Sequence, residues 1–168
     1  MRITNPLLAA TFDASKAQFP YAATPKIDGI RFLMVNGQAV SRSLKPIRNK
    51  YIQQLLSSAL PNGCDGELTC GDNFQESTSA IMRIEGEPDF KVWLFDYVNP
   101  AAKKMKGYTE RMNELRDFEP FDLPNYQVLY PTTVTSQEEA DKLMATFLSD
   151  GYEGLMLRSP DGPYKFRS

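Results

Sequence analysis

The sequence predicts an α+β domain, with antiparallel or mixed sheets flanked by helices. Three observations carry that prediction. The Asn36-Gly37 pair between two apolar runs is a strong hairpin signal. After it, strand-period and helix-period segments alternate toward the C-terminus. The 168 residues are 42% hydrophobic and 24% charged, ordinary values for one globular domain with a real core.

An irregular N-terminal arm leads to a strand over Ile30–Val35, and Gln38–Arg42 returns as its hairpin partner. Ile47, Tyr51, Leu55 and Ile52, Leu56 recur at helical spacing, and Pro61-Asn62-Gly63 ends that helix. Cys64–Thr69 is a strand with Asp65, Glu67 and Thr69 on one face and Gly66 and Leu68 on the other. Phe74, Thr78, Ile81 and Met82 mark a second helix. Phe90–Val98 is apolar on both faces, as a strand covered on both sides should be. Tyr108, Met112 and Leu115 mark a third helix, and Tyr126–Leu129 a short strand. Ser136 with Glu139 forms a capping-box signature before Ala140, Leu143, Met144, Phe147 and Leu148, with Gly151 as the stop. Glu153–Arg158 returns to strand.

The chain has no histidine, which removes Ser-His-Asp and Cys-His catalysis and histidine-ligated zinc together. Chemistry must come from Lys, Arg, Asp and Glu. A net charge of −2 and a pI near 5.3 argue against a protein that coats nucleic acid. Lys16, Lys45, Arg48 and Lys50 mark a basic surface near the first helix, or simply a solvated face. Cys64 and Cys70 in one strand stand roughly 20 Å apart, beyond disulfide reach. Both thiols are expected as small buried hydrophobes in a reducing cytoplasm. Leu7-Leu8-Ala9-Ala10 is too short for a secretory signal, and no run reaches membrane-span length. The expectation is a monomer with no membrane partner.

The informative segment is Thr24-Pro25-Lys26-Ile27-Asp28-Gly29-Ile30-Arg31. It resembles the K-x-D-G-x-R signature of covalent nucleotidyltransferases, the group of ATP-dependent DNA ligases, RNA ligases and mRNA capping enzymes. Further segments follow in the family's order. Ser41-Arg42 matches a short S-R element, Asp65-Gly66-Glu67-Leu68 resembles motif III, and Trp93-Leu94-Phe95-Asp96-Tyr97 resembles motif IIIa. Tyr108 to Arg111 resembles the Y-x-x-R that opens a ligase helix, and Glu153-Gly154-Leu155-Met156 resembles motif IV. The resemblance spans about residues 22 to 168 and is strongest to phage-type DNA ligases. It implies the ligase adenylation-domain fold, which is ATP-grasp-like.

An amine that attacks the α-phosphate of ATP must be neutral, and a reference pKa of about 10.4 leaves on the order of 10⁻³ in that form. Desolvation and nearby cations depress such a pKa, and Arg31, Arg42 and a bound Mg²⁺ are the local candidates. The resemblance implies lysyl-AMP on Lys26, with Asp28 and Arg31 holding lysine and nucleotide. It implies Glu67 on the ribose hydroxyls, Phe95 stacked on adenine, Arg42 near the nucleotide and Glu153 on Mg²⁺. Each has a plainer alternative: Phe95 as ordinary core, Glu67 as a solvated strand residue, Glu153 as the residue after a helix stop, Arg42 as surface charge.

Two departures stand out. Where DNA ligases often carry a glutamate two positions before the lysine, this chain has Thr24, so base selection falls to a hydroxyl or to backbone groups. Tyr164-Lys165-Phe166-Arg167-Ser168 lacks the glycine of the family's Y-K-x-G-R-S-like segment, and the motif V lysines and OB-fold do not appear. The expectation is a single adenylation domain over residues 1–168, truncated before motif V. It would bind ATP, hold nicked duplex DNA weakly and be impaired in full ligation. A nucleotide-binding module without ligation stays open, as do RNA ligase and capping guanylyltransferase readings.

Overall fold

The computed structural model describes residues 13–165, and within them the α+β expectation holds, with two sheets flanked by helices. In the smaller, antiparallel sheet, β1 (Tyr21–Lys26) lies between β7 (Thr132–Val134) and β8 (Gly154–Arg158). The larger runs in the order β3 (Gln38–Val40), β2 (Ile30–Val35), β4 (Cys64–Thr69), β5 (Lys91–Tyr97), β6 (Tyr126–Val128). Its pairs are antiparallel except for β5 with β6. The helices are α1 (Lys50–Ala59), α2 (Phe74–Ile81), α3 (Tyr108–Arg116) and α4 (Gln137–Ser149). Among the described residues no helix is long and apolar enough to cross a membrane.

The hairpin forms as expected, with Asn36 at φ 50° and Gly37 at φ 78°, the left-handed pair a two-residue loop requires. Its second strand is shorter than expected. It stops at Val40, because Ser41 N–H donates to Lys45 C=O and the chain turns through Leu44 at φ 62°. The first helix likewise starts later, at Lys50, where the buried Asn49 side chain accepts from Ile52 N–H. Ile47 is buried, but as part of the chain leading into the helix. At α4 the box is shifted by one residue. Ser136 Oγ accepts from Glu139 N–H, while the Glu139 carboxylate reaches back to Thr135 N–H and Oγ1.

Two strands lie where none was expected. β1 falls within the predicted irregular arm, and β7 between the expected strand ending at Leu129 and the helix cap at Ser136, where the sequence reading places no element. The arm's first twelve residues, with Leu7-Leu8-Ala9-Ala10, lie outside the described residues, as do Phe166, Arg167 and Ser168. Pro25 is tolerated in β1 because β7 pairs only with Tyr21–Ala23, so the strand has a free side at Pro25.

The main core packs Phe32, Met34, Ile52, Leu56, Leu68, Val92, Leu94 and Leu115, all fully buried. Each stabilises the fold by about 1.5–3 kcal/mol relative to exposure. A smaller cluster sets Ala23, Val134 and Ala140 with Leu143, Leu155 and Leu157 between the small sheet and α4. The predicted α4 stripe is only partly covered, with Met144 37% and Leu148 49% exposed. A 13-residue helix is about 20 Å long and outruns the three-stranded sheet beneath it. Cys64 is buried and Cys70 half-buried, both free thiols. The Cys70 expectation is thus only partly met, since its strand ends at Thr69.

Cross-strand partners share a face. Lys26, Thr24 and Ala22 of β1 therefore point the same way as Gly154, Met156 and Arg158 of β8. Ala23, Leu155 and Leu157 take the opposite face, against α4. The first face looks to the larger sheet. Ala22 joins the main core there, and the Arg158 guanidinium lies 5.4 Å from the Phe95 ring centroid.

Candidate active site

The Lys26-to-Arg31 segment is the crossing between the sheets: Lys26 ends β1 and Arg31 lies early in β2. Gly29 is needed there for closeness. A Cβ on it would stand 2.5 Å from the Leu68 carbonyl oxygen and 2.9 Å from Thr69 Cγ2. That proximity lets Gly29 N–H donate to Glu67 Oε2 at 3.0 Å.

Lys26 Nζ is 3.5 Å from Glu153 Oε1, and both side chains are nearly half exposed. Register explains the pairing. Lys26 faces Gly154 across the ladder, and Glu153 N–H donates to Lys26 C=O at 3.1 Å. The lysine opens into a cavity of about 520 Å³ whose lining includes Asp28, Asn73, Trp93, Tyr152 and Glu153. That volume is within the range of small-molecule sites. Trp93 is a fixed wall. Its Nε1–H donates to Thr69 Oγ1 at 2.9 Å, Lys91 Nζ sits 3.8 Å from its ring, and Tyr152 meets it edge-on at 6.0 Å.

Arg31, Glu67 and Phe95 form a second group behind the crossing. Arg31 Nε and Nη2 donate to Asp65 Oδ1 and Oδ2 at 2.6 and 2.7 Å, a bidentate pair with Asp65 fully buried. Burial works against the Arg31 charge, and the Asp65 carboxylate outweighs it. Arg31 faces Glu67 in the ladder. Burial is the main cause that pushes the Glu67 carboxyl up to about 7. Arg31 and the Gly29 N–H oppose the shift, and Asp65 and Asp28 add to it. Phe95 is the extra residue of a β-bulge, because Asp65 pairs Asp96 while Gly66 pairs Leu94. Phe95 is 8% exposed, and its ring has the guanidinium groups of Arg31 at 4.8 Å and Arg158 at 5.4 Å from its centroid.

Thr24 is buried, and its Oγ1 accepts from Arg158 Nη1 at 3.1 Å, so the hydroxyl is already engaged inside the fold. Asp28 is exposed at the cavity. Arg42 is exposed in the turn after β3 and pairs with no carboxylate among the described residues. The fold thus brings together two sets, Lys26 with Asp28 and Glu153, and Arg31 with Glu67 and Phe95, joined by the Gly29–Glu67 bond. Sequence reasoning gave no role to Asp65, Trp93, Tyr152, Arg158 or Tyr164. It also missed the buried pair in which Arg111 Nε and Nη2 donate to Asp96 Oδ1 and Oδ2 at 2.8 and 3.1 Å. A charged Asp96 between Phe95 and Tyr97 in an apolar strand was a signal that a cation lies opposite.

Glu153 and Asp28 offer hard carboxylate oxygens beside a cavity. Among the described residues no cluster of three or more metal-binding side chains forms.

A lysine at the crossing between two sheets, with Asp28 and Glu153 lining the cavity beside it, is an arrangement that can present an amine to a phosphorylated ligand. The chain belongs to the ATP dependent DNA ligase domain family, whose model matches residues 6–168. Among solved structures, the Chlorella virus DNA ligase-adenylate superposes with a TM-score of 0.89 at 39% identity, over 99% of this chain and 65% of that one. The bacteriophage T7 ATP-dependent DNA ligase in complex with ATP gives 0.71 at 18% identity, over 96% and 65%. The ligase domain of M. tuberculosis LigD gives 0.67 at 19% identity, over 96% and 56%. The last two share the fold. A search of curated protein sequences finds no match. The chain spans about two thirds of the Chlorella virus enzyme it resembles.

Proposed function

We propose that this chain is the adenylylating core of an ATP-dependent DNA ligase. The observation that carries the reading is the Lys26 amine, half exposed at the mouth of the cavity, 3.5 Å from Glu153 and backed by Glu67 through Gly29. The neutral amine attacks the α-phosphate of ATP. A P–N bond forms, the bond to the β-phosphate oxygen breaks, pyrophosphate leaves, and the amine's second proton passes to solvent. AMP then passes from lysine to a 5′-phosphate at a nick in duplex DNA.

Glu67, an acceptor-only group when ionised, takes hydrogen bonds from the ribose hydroxyls. Phe95 stacks on adenine once a guanidinium moves off its ring, and Arg31 and Asp28 hold the phosphates and the lysine loop. Glu153 and Asp28 would hold Mg²⁺, which supplies charge neutralisation at the phosphates. Arg42 sits in a turn whose two serines, Ser41 and Ser43, lie 3.2 Å apart through their hydroxyls. It reaches the nucleotide only if that turn folds inward. Duplex affinity rests on phosphate contacts from a chain with 19 basic and 21 acidic residues, so it is weak and steeply salt-dependent.

The test is incubation with α-labelled ATP and Mg²⁺, followed by intact mass. One added AMP on the unchanged chain and none on Lys26→Ala is the expected result. Lys26→Ala should keep its stability within about 1 kcal/mol, since an exposed lysine contributes little to packing. Label retained on Lys26→Ala overturns the assignment.

A further inference from the structure

The segment that follows β8 carries no part of the chemistry above, yet it is tied to the site by the one side chain buried among its described residues. Tyr164 is 2% exposed, and its hydroxyl donates to Asp65 Oδ2 at 2.5 Å. Asp65 is the same carboxylate that holds Arg31 by two bonds, and Arg31 in turn lies over the Phe95 ring. A second tie secures the segment itself. Arg111 Nη1 donates to Gly162 C=O at 2.8 Å, and its guanidinium lies 5.7 Å from the Tyr164 ring. The same Arg111 holds Asp96, the neighbour of Phe95.

We propose that Tyr164 is a positioning residue for nucleotide binding: its hydroxyl fixes the Asp65 carboxylate and, through it, the Arg31 guanidinium beside Phe95. The proposal rests on the nucleotide-site reading above. Burial of the ring and the Gly162 tie would be enough to dock this segment, and a phenylalanine would satisfy both. The hydroxyl is aimed at a buried carboxylate already holding two N–H groups. A carboxylate's terminal torsion is soft, so a third donor removes rotation that Arg31 would otherwise share. Placement of a phosphate- or base-facing cation thereby depends on a residue 99 positions away from Asp65 in sequence.

The experiment compares the 168-residue chain with Tyr164→Phe, Asp65→Asn and the double variant, by ATP calorimetry and by NMR of the Arg31 Nε–H. Loss of one hydrogen bond to a charged group predicts ATP affinity about tenfold weaker in Tyr164→Phe. The Arg31 Nε–H should exchange faster in that variant while backbone signals stay in place. The double variant should bind ATP like Asp65→Asn alone, because both act through one carboxylate. Unchanged affinity and unchanged Arg31 exchange in Tyr164→Phe overturn the proposal, and so does an affinity loss without any change at Arg31. Should Asp65→Asn fail to fold, Tyr164→Phe alone still decides. Absence of ATP binding by the unchanged chain would overturn the nucleotide-site reading and the binding role of Tyr164. The Arg31 exchange, which needs no nucleotide, would then report separately whether the Tyr164–Asp65–Arg31 link exists.

Discussion

Glu67 Oε2 accepts the backbone N–H of Gly29 at 3.0 Å, so the strand that carries the candidate ribose carboxylate is fastened to the loop just after the candidate nucleophile. The two residues are 38 apart in sequence, and the antiparallel pairing of β2 with β4 in the larger sheet brings them together.

The raised Glu67 carboxyl makes a pH prediction. Its ordinary value of 4.5 rises to about 7 in the fold, chiefly through burial, so the folded chain binds this proton more tightly than the unfolded chain. The stability it contributes is therefore full below the ordinary value and is lost as pH rises through about 7. With Glu67 on the ribose as proposed, nucleotide should act in the other direction, because ribose hydroxyls need the ionised acceptor. ATP affinity should increase between about pH 5.5 and 7.5, with close to one proton released at the lower end. Calorimetry in buffers of different ionisation enthalpy measures that proton, and Glu67→Gln should flatten the profile. A flat profile in the unchanged chain would leave Glu67 without a role at the ribose.

Gly29→Ala should cost about 1–3 kcal/mol, since the atom the added carbon meets first, the Leu68 carbonyl oxygen, is backbone and cannot swing aside. Relief by a shift of the loop would lengthen the Gly29–Glu67 bond, so AMP labelling of Lys26 should fall as well. Urea melts and labelling on one preparation check both effects. A neutral melt with normal labelling would show that the crossing has slack.

The Asp96–Arg111 pair predicts an asymmetry. Both side chains are at most 3% exposed. Arg111→Met leaves a buried carboxylate without its cation, held among the described residues only by the Tyr97 N–H at 2.7 Å, and should cost about 3–5 kcal/mol, while Asp96→Leu with Arg111→Met should recover a good part of it. A double-mutant cycle by urea denaturation reads the difference. Equal losses in single and double variants would mean that the Gly162 and Lys106 carbonyls held by Arg111, and not Asp96, account for the effect.

Most of the large sheet was legible because its strands carry their own signals. Asn36-Gly37 fixes the hairpin, and the apolar run around Leu94 demands burial on both faces. The small sheet was not, since Tyr21-Ala22-Ala23-Thr24-Pro25-Lys26 shows no alternation and contains a proline that only a half-paired strand accepts. Lys26, Asp28, Arg31, Glu67, Phe95 and Glu153 were found as letters of short segments, and the fold places each at or behind the crossing. Arg42 was assigned to a strand that ends two residues earlier. The Tyr164–Asp65 and Arg158–Thr24 contacts span 99 and 134 residues, distances over which no local pattern reports.

The sole tryptophan gives the sharpest view of where nucleotide enters. Trp93 lines the cavity beside Lys26 and Glu153, and its ring is held by Thr69, Lys91 and Tyr152. An indole pinned by a cation on its face and a tyrosine at its edge has a well-defined emission, and a polyphosphate that drew Lys91 away would change it. ATP should therefore produce a saturable fluorescence change in the unchanged chain and in Lys26→Ala, which binds but cannot be labelled. Trp93→Phe removes the signal and should weaken ATP binding less than tenfold, because a phenyl ring keeps the wall but not the bond to Thr69. Should calorimetry show ATP binding while the indole stays silent, the nucleotide lies wholly on the Phe95 side of the crossing. The cavity in front of Lys26 would then belong to the incoming DNA end, and Trp93 emission should respond to a 5′-phosphorylated nick instead.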